Sequence, residues 1–223
     1  MVADGSKASV YEGFGNPALL RSVLDQLPSG GAVLDVGCAS GGLLVALGGH
    51  AGRRVGIEPD PVAAATARRH ADEVHVGSVY EVDPGSASFD VVVLGDVLEH
   101  VADPAAALRR AAGWVAPGGR LVISVPNVAH WSVRLEVLRG RWEYQASGIL
   151  DDTHLRFFTW ASGCDLVRGA GLTVVERRAI VSGLGAHLGR RIPARVEGLW
   201  RRIGHRRPNL FAYQQLIVAE VPS

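Results

Sequence analysis

Two acidic residues and a run of small ones carry the first chemistry. Val33 to Leu43 reads Val-Leu-Asp-Val-Gly-Cys-Ala-Ser-Gly-Gly-Leu, an apolar run that passes through small residues into a stretch of helical length. Small residues let a ligand approach the backbone, and a helix N-terminus offers free N–H groups. Asp35, placed inside the end of the apolar run, would repel a phosphate and attract an ammonium group. Glu58 closes the next apolar run, where a carboxylate can accept both hydroxyls of a ribose. A dinucleotide fingerprint would need glycine at position 39, which is Ala39 here, and the Gly-Lys-Ser/Thr of a P-loop is absent. The ligand that fits has a ribose, a cationic amine end and no phosphates.

These groups need a scaffold, and the hydrophobic pattern supplies one. Ala32–Val36, Arg53–Glu58, Glu73–Val76, Phe89–Leu94 and Arg120–Val125 read as buried strands. Between them, Gly41–His50, Pro61–Ala71 and Pro104–Val115 read as helices. Pro17, Pro61 and Pro104 each follow Asn or Asp, an N-cap with proline in the first turn, so a further helix starts at Asn16-Pro17 and ends near Leu27. Strands alternating with helices imply parallel crossovers and an α/β sheet covered on both faces. Leu172–Ile180 and Phe211–Val221 read as an antiparallel pair closing one edge. Two segments stand outside the alternation, 126–158 and 182–209.

Four stretches, in order, resemble class I S-adenosylmethionine-dependent methyltransferases. Val33–Leu43 looks like their first motif and Val55-Gly56-Ile57-Glu58-Pro59 their second. Phe89–Leu94 with Asp96-Val97-Leu98-Glu99-His100-Val101 looks like the fourth strand and its turn, and Ala116-Pro117-Gly118-Gly119-Arg120-Leu121 the turn into the fifth. The resemblance spans about residues 11–180 and is nearest to bacterial small-molecule enzymes of the quinone-biosynthesis and methionine-biosynthesis-associated type. It implies one methyltransferase domain over 1–223: a Rossmann-like, doubly wound seven-stranded sheet, mostly parallel with an antiparallel last strand, in the order 3-2-1-4-5-7-6. The implied cofactor, S-adenosylmethionine with S-adenosylhomocysteine as product, matches the phosphate-free ligand above. By position, Gly37, Cys38, Ala39 and Gly41 would line its methionine part, with Asp35 near the amine. Glu58 and the adjoining Pro59 would hold the ribose, Ser78 and Val79 after Gly77 would edge the adenine, and Gly95 and Asp96 would sit beside the sulfonium. Tyr11 would close over the cofactor.

Methyl transfer to a hydroxyl needs positioning and a place for the proton. Asp96, Glu99 and His100 follow the fourth strand, His130 follows the fifth, and Asp151-Asp152-Thr153-His154 lies in the first insertion. His154 is the expected general base, with His100 and Asp96 beside it, because a neighbouring aspartate would orient the imidazole and raise its basicity. Trp131, Trp142, Tyr144 and Phe157 supply an aromatic wall for an acceptor. The expected reaction is O-methylation of a small molecule; an amine acceptor, or a silent cofactor-binding partner subunit, are the alternatives. Asp96, Glu99 and His100 also resemble the acidic-x-x-Glu-His pattern of quinone and small-RNA methyltransferases that bind magnesium. A divalent ion, with His154 as a further ligand, therefore stays open, and no metal ligand set is assigned.

The second insertion is basic. Arg190, Arg191, Arg195, Arg201, Arg202, Arg206 and Arg207 face one acid, Glu197, while Val196, Leu199, Trp200 and Ile203 recur at helical spacing. An amphipathic helix is expected, its apolar stripe packed on the domain or on a second subunit in a homodimer. Its arginines would be a solvated face or would recruit an anionic or carrier-bound acceptor. Aromatic residues are not interleaved with them, which disfavours single-stranded nucleic acid. The chain has 223 residues, net charge +1 and two cysteines without zinc spacing, so it is neither a globally basic nucleic-acid binder nor a disulfide scaffold. No signal peptide or apolar run of membrane-spanning length is visible, and the expected location is cytoplasmic.

Overall fold

The computed structural model describes residues 16–185, 189 and 191–222, and Tyr11 lies outside them. Seven strands form one sheet: β1 (Ala32–Val36), β2 (Arg53–Glu58), β3 (Glu73–Val76), β4 (Phe89–Gly95), β5 (Val115–Pro126), β6 (Thr173–Ile180) and β7 (Gln214–Glu220). The order is β3-β2-β1-β4-β5-β7-β6. β1 to β5 pair in parallel, and β7 runs antiparallel to both its neighbours, β5 and β6. This is the expected Rossmann-like topology.

The strand sequences explain the two-sided burial. Successive side chains point to opposite faces, and in the central strands both faces are apolar. Leu34, Val36, Val92 and Leu94 join a core with Ala107, Leu108 and Ala111 of α4 (Pro104–Ala112) and Cys164 and Val167 of α6 (Trp160–Gly169). Val33, Val91 and Val93 join a second core with Leu19, Leu20 and Val23 of α1 (Pro17–Gln26) and Leu43 and Leu47 of α2 (Gly42–Leu47). The helices begin where the sequence indicates. The side chains of Asn16, Asp60 and Asp103 accept hydrogen bonds from the amides of Leu19, Val62 and Ala106, each ahead of a proline. Such a cap is worth about 1 kcal/mol.

Boundaries differ where backbone geometry overrides composition. α2 stops at Leu47, because Gly48 turns to φ +47° and leads a 3-10 turn over Gly48–His50. α3 (Pro61–Ala67) and α4 also end early, α4 because Val115 pairs with Phe89 and starts β5. Pro208–Phe211 is a helical turn, α8, so β7 begins only at Gln214.

The first insertion holds α5 (Trp131–Leu138) and then a loop docked by its backbone: the amides of Leu155 and Arg156 both donate to the Glu99 carbonyl, at 2.7 and 3.0 Å. The second holds α7 (Ala194–Arg206). It sits on the fold at Gly204, where an added Cβ would be 2.5 Å from Val181, and at Trp200, whose indole N–H donates to the Ser182 carbonyl at 3.0 Å. The expected packing of its apolar stripe on the domain is not found, since Val196, Leu199 and Ile203 are 40–54% exposed. Gly204, Trp200 (also against Phe211) and Glu197, which accepts the Gly185 amide, hold the helix, while the aliphatic side chains stay exposed. Among the described residues no helix is long and apolar enough to cross a membrane.

Candidate active site

The C-terminal ends of β1, β2 and β4 and the turn after β3 enclose a cavity of about 450 Å³. Gly37, Glu58, Pro59, Ser78, Val79, Asp96 and His100 line it. Asp35, Cys38, Ala39, Gly41 and Gly95 are not among its lining residues.

The loop after β1 is built by backbone bonds. The amides of Gly37 and Cys38 share the Ile57 carbonyl, at 2.8 and 3.1 Å, and the Gly41 amide returns to the Cys38 carbonyl at 2.8 Å. Gly37, Ala39 and Gly41 all have positive φ, +72°, +47° and +86°. Gly41 has a second constraint, because a Cβ there would lie 3.1 Å from the Ala67 Cα. Ala39 adopts the left-handed conformation at a cost of about 1–2 kcal/mol. It is held there by Glu58, whose Oε2 accepts the Ala39 amide at 2.8 Å while Oε1 accepts the Asp60 amide at 2.9 Å. Glu58 thus fixes the loop from below as well as facing the cavity, a second role that sequence reasoning missed. A carboxylate has about four lone-pair sites, so both oxygens can still accept from a ligand.

Asp35 is 5% exposed. Burial, and then the charge of Glu58, push its pKa up to about 7. The Cys38 thiol turns away from the cavity into a cluster with Leu44, Ala64, Ala67 and Val74. Burial first, then the charges of Asp35 and Glu58, raise it to about 12. It is an inert packing group whose backbone alone serves the loop.

Asp96 sits at φ +54° just past β4. Its Oδ1 accepts from Ser124 Oγ at 3.0 Å and from Gln214 Nε2. Gln214 Oε1 in turn accepts from Asn16 Nδ2 at 3.1 Å. Burial raises the Asp96 pKa and these bonds oppose the rise. Ser124, Gln214 and Asn16 come from β5, β7 and the cap of α1, and sequence carried no signal for them.

Glu99, His100 and His154 converge, each offering a ligand atom within 4.8 Å of the others. The imidazoles meet edge to face with centroids 4.7 Å apart. Thr153 Oγ1 donates its single proton to Asp151 Oδ1. It therefore accepts from His100 Nδ1, 3.0 Å away, which leaves His100 Nε2 with a lone pair. His154 Nδ1 donates to the Ile149 carbonyl at 3.0 Å, which likewise frees its Nε2. Asp151 does lie near enough to act on His154 by charge, as expected, but it does not hydrogen-bond the ring. The Asp151 carboxylate serves His100 through Thr153, and a backbone carbonyl serves His154, because the turn at Asp151 aims the carboxylate back at Thr153. Glu99 is 1% exposed, and neither carboxylate oxygen has a hydrogen-bond partner. Burial, then the Asp96 charge, raise its pKa well above the carboxylate range. His130 caps α5 with Nδ1 2.8 Å from Ser132 Oγ and stands apart from this cluster.

A methyltransferase domain family model matches residues 14–177. With a parallel sheet ending in an antiparallel strand and an acid-flanked glycine loop, the fold and site define a class I S-adenosylmethionine-dependent methyltransferase. The chain belongs to this methyltransferase domain family. It is 32% identical over 161 residues to a ubiquinone biosynthesis O-methyltransferase of Rhodopseudomonas palustris (strain HaA2), covering 69% of this chain and 62% of that protein. A protein of the same description from Xanthomonas axonopodis pv. citri (strain 306) is 33% identical over 179 residues, covering 76% of this chain and 72% of its own length. The matched part of this chain thus spans about six-tenths of the first of these relatives. The solved structure of a SAM-dependent methyltransferase from Thermotoga maritima superposes with a TM-score of 0.64 at 19% identity, covering 96% of this chain and 92% of that one. That likeness concerns the fold.

Proposed function

We propose that this protein moves a methyl group from S-adenosylmethionine to an oxygen of a small-molecule acceptor. The observation that carries the reading is the pair of imidazoles, both with Nε2 free, beside the cavity at the strand ends. The residues fit the cofactor: Glu58 and Asp96 line the cavity, Asp35 is buried at the end of β1 next to it, and no arginine or lysine lines it. When bound, the cofactor supplies a methyl carbon activated by a positively charged sulfur. Asp35 would meet its ammonium group, Glu58 would hold its ribose hydroxyls, and Ser78 and Val79 would edge its adenine. His100, which lines the cavity, would take the acceptor's proton on Nε2. Asp151, through Thr153, fixes the tautomer that makes this possible. His154 stands edge-on behind His100 and keeps it turned toward the acceptor, so the role expected of His154 falls to its neighbour.

The acceptor side is apolar. Val128, Val133, Val137, Leu138, Trp142 and Phe157, with Arg134, line a groove of about 470 Å³, and Phe157 lies 6.1 Å from His154, centroid to centroid. This supports an acceptor with a hydroxylated head and an aliphatic or aromatic extension, in keeping with the description of the curated relatives. The test is an acceptor screen that follows S-adenosylhomocysteine release from protein and hydroxylated aromatics. Turnover that falls at least 100-fold in His100→Ala supports the assignment. Unchanged turnover in that variant points to an amine acceptor, and cofactor binding without any turnover points to a partner subunit.

Glu99 favours a second reading. Its buried, unpartnered carboxylate with two imidazole nitrogens fits a divalent cation, which would polarise the acceptor oxygen. Two nitrogen donors and one oxygen donor suit a transition metal better than magnesium. Metal analysis after dialysis against zinc or manganese checks this: Glu99→Gln should lose the metal and still bind S-adenosylhomocysteine.

A further inference from the structure

A second, larger cavity of about 670 Å³ opens at the free edge of the sheet, apart from the cofactor crevice and sharing none of its lining residues. β6 forms its inner wall, α1 and α7 flank it, Trp160 of α6 and Pro208 close its ends, and Leu216 forms part of its floor. Its lining holds four guanidiniums, Arg21, Arg177, Arg178 and Arg201, with His205, against one carboxylate, Asp25.

The pairing is unequal. Arg178 bonds to Asp25 at 3.0 Å and to Glu176, so its charge is already met. Arg21 approaches the same Asp25 only at 4.0 Å, and Arg201 approaches Glu197 at 3.8 Å. Arg177 forms no ion pair among the described residues. Its guanidinium lies 3.6 Å over the Trp160 ring, its Nη2 donates to Gln215 Oε1 at 2.9 Å, and its Nε is buried without a partner. The support is itself built. Gln215 is fully buried and spends its Nε2 on the Thr159 carbonyl at 2.8 Å, which leaves Oε1 for the arginine. Gly163 makes room for it, since a Cβ there would be 2.5 Å from Gln215 Nε2. A tryptophan face, an oriented amide and a glycine gap thus hold a cation that no carboxylate among the described residues meets at ion-pair distance, Asp165 acting on it only from further off. The guanidinium is half-buried, and its Nε is shut off from solvent without a partner, so an anion arriving at its open side would offset part of that lost solvation.

We propose that this cavity is an anion site that binds a phosphoryl group, with Arg177 as its anchor and Arg201 and His205 closing on it from α7. Donors from a strand and a helix, approaching from different directions, suit a tetrahedral anion better than one planar carboxylate. The volume exceeds that of a bare phosphate, so the occupant is a diphosphate or a phosphate ester.

Isothermal titration of the full chain with inorganic phosphate, pyrophosphate and phenyl phosphate, at fixed ionic strength, tests this. Pyrophosphate binding in the millimolar range or tighter is expected, and Arg201→Gln, an exposed change that leaves the fold intact, should weaken it about tenfold. Arg177→Gln combined with Arg201→Gln should abolish it while S-adenosylhomocysteine still binds. That second ligand reports folding and the cofactor site independently. A stronger response to phenyl phosphate than to pyrophosphate assigns the site to an ester; the reverse assigns it to a free polyanion. The paired control Arg202→Gln, Arg206→Gln removes equal charge from the outer face of α7. No heat with any of the three probes at 10-fold above that range, or an equal loss in the control, overturns the proposal.

Discussion

If Asp35 meets the cofactor's ammonium group as proposed, it links cofactor binding to a proton. With its pKa pushed up to about 7 by burial and by Glu58, it is largely protonated at pH 5.5 and largely charged at pH 7.5. An ammonium group placed beside it favours the carboxylate, so below pH 7 binding must release a proton. If the bound pKa falls well below 5.5, affinity for S-adenosylhomocysteine should drop by about 25-fold between pH 7.5 and 5.5. The limiting slope is tenfold per pH unit. Titration calorimetry in buffers of different ionisation enthalpy should show nearly one proton released at pH 5.5 and under one half at pH 7.5. Asp35→Asn should bind more weakly at pH 7.5 and lose the part of the slope that belongs to this group. The sign for the empty protein is opposite. A carboxyl whose folded pKa is raised contributes stability at low pH and loses it as pH climbs through 7. The full shift corresponds to about 4 kcal/mol as an upper figure. Melts of the empty protein should therefore show stability declining from pH 5 to 8 in the wild type and not in Asp35→Asn. A pH-independent affinity together with buffer-independent heats would refute the coupling.

Three other outcomes follow from the geometry. Ala39→Gly should relieve left-handed strain, raise stability by up to about 1 kcal/mol and leave cofactor affinity within threefold, whereas Ala39→Val should cost at least that much; thermal melts and titrations measure both. Thr153→Val removes the link between Asp151 and His100, so kcat should fall by about tenfold or more and its dependence on pH should change, with cofactor affinity unaltered. Gly41→Ala meets both a positive φ and the Ala67 backbone, so it should destabilise the protein by about 1–3 kcal/mol in denaturant unfolding and weaken cofactor binding in parallel.

The parts of this structure written locally were legible from sequence. Asn16-Pro17, Asp60-Pro61 and Asp103-Pro104 announce helix starts because a cap acts over three residues. The central strands announce themselves because burial on both faces demands unbroken apolar runs. The glycine loop and Glu58 were legible because a βα turn positions them within one unit. What escaped depends on distant partners. The bond between Gln214 and Asp96 joins residues far apart in the chain, and a glutamine in a terminal strand gives no hint of its destination. The Asp151, Thr153 and His100 relay required the docking of the insertion on the Glu99 carbonyl, a backbone contact without side-chain signature. The exposed stripe of α7 was misjudged because helical periodicity predicts an apolar face, while the actual seat is set by Gly204.

The position of β7 has a consequence for synthesis. The C-terminal strand lies between β5 and β6, so a ribosome delivers β6 before the only strand with which it can pair on its inner side. The first five strands can close on one another during translation, whereas β6 and the edge behind it must wait for residues 214–220. Because Gln214 also holds Asp96, a nascent chain cut short before that point lacks both its completed sheet and the hydrogen bond that fixes this carboxyl at the cavity. Premature termination therefore leaves an inactive polypeptide with two unpaired strand edges, the kind of surface that chaperones and proteases recognise.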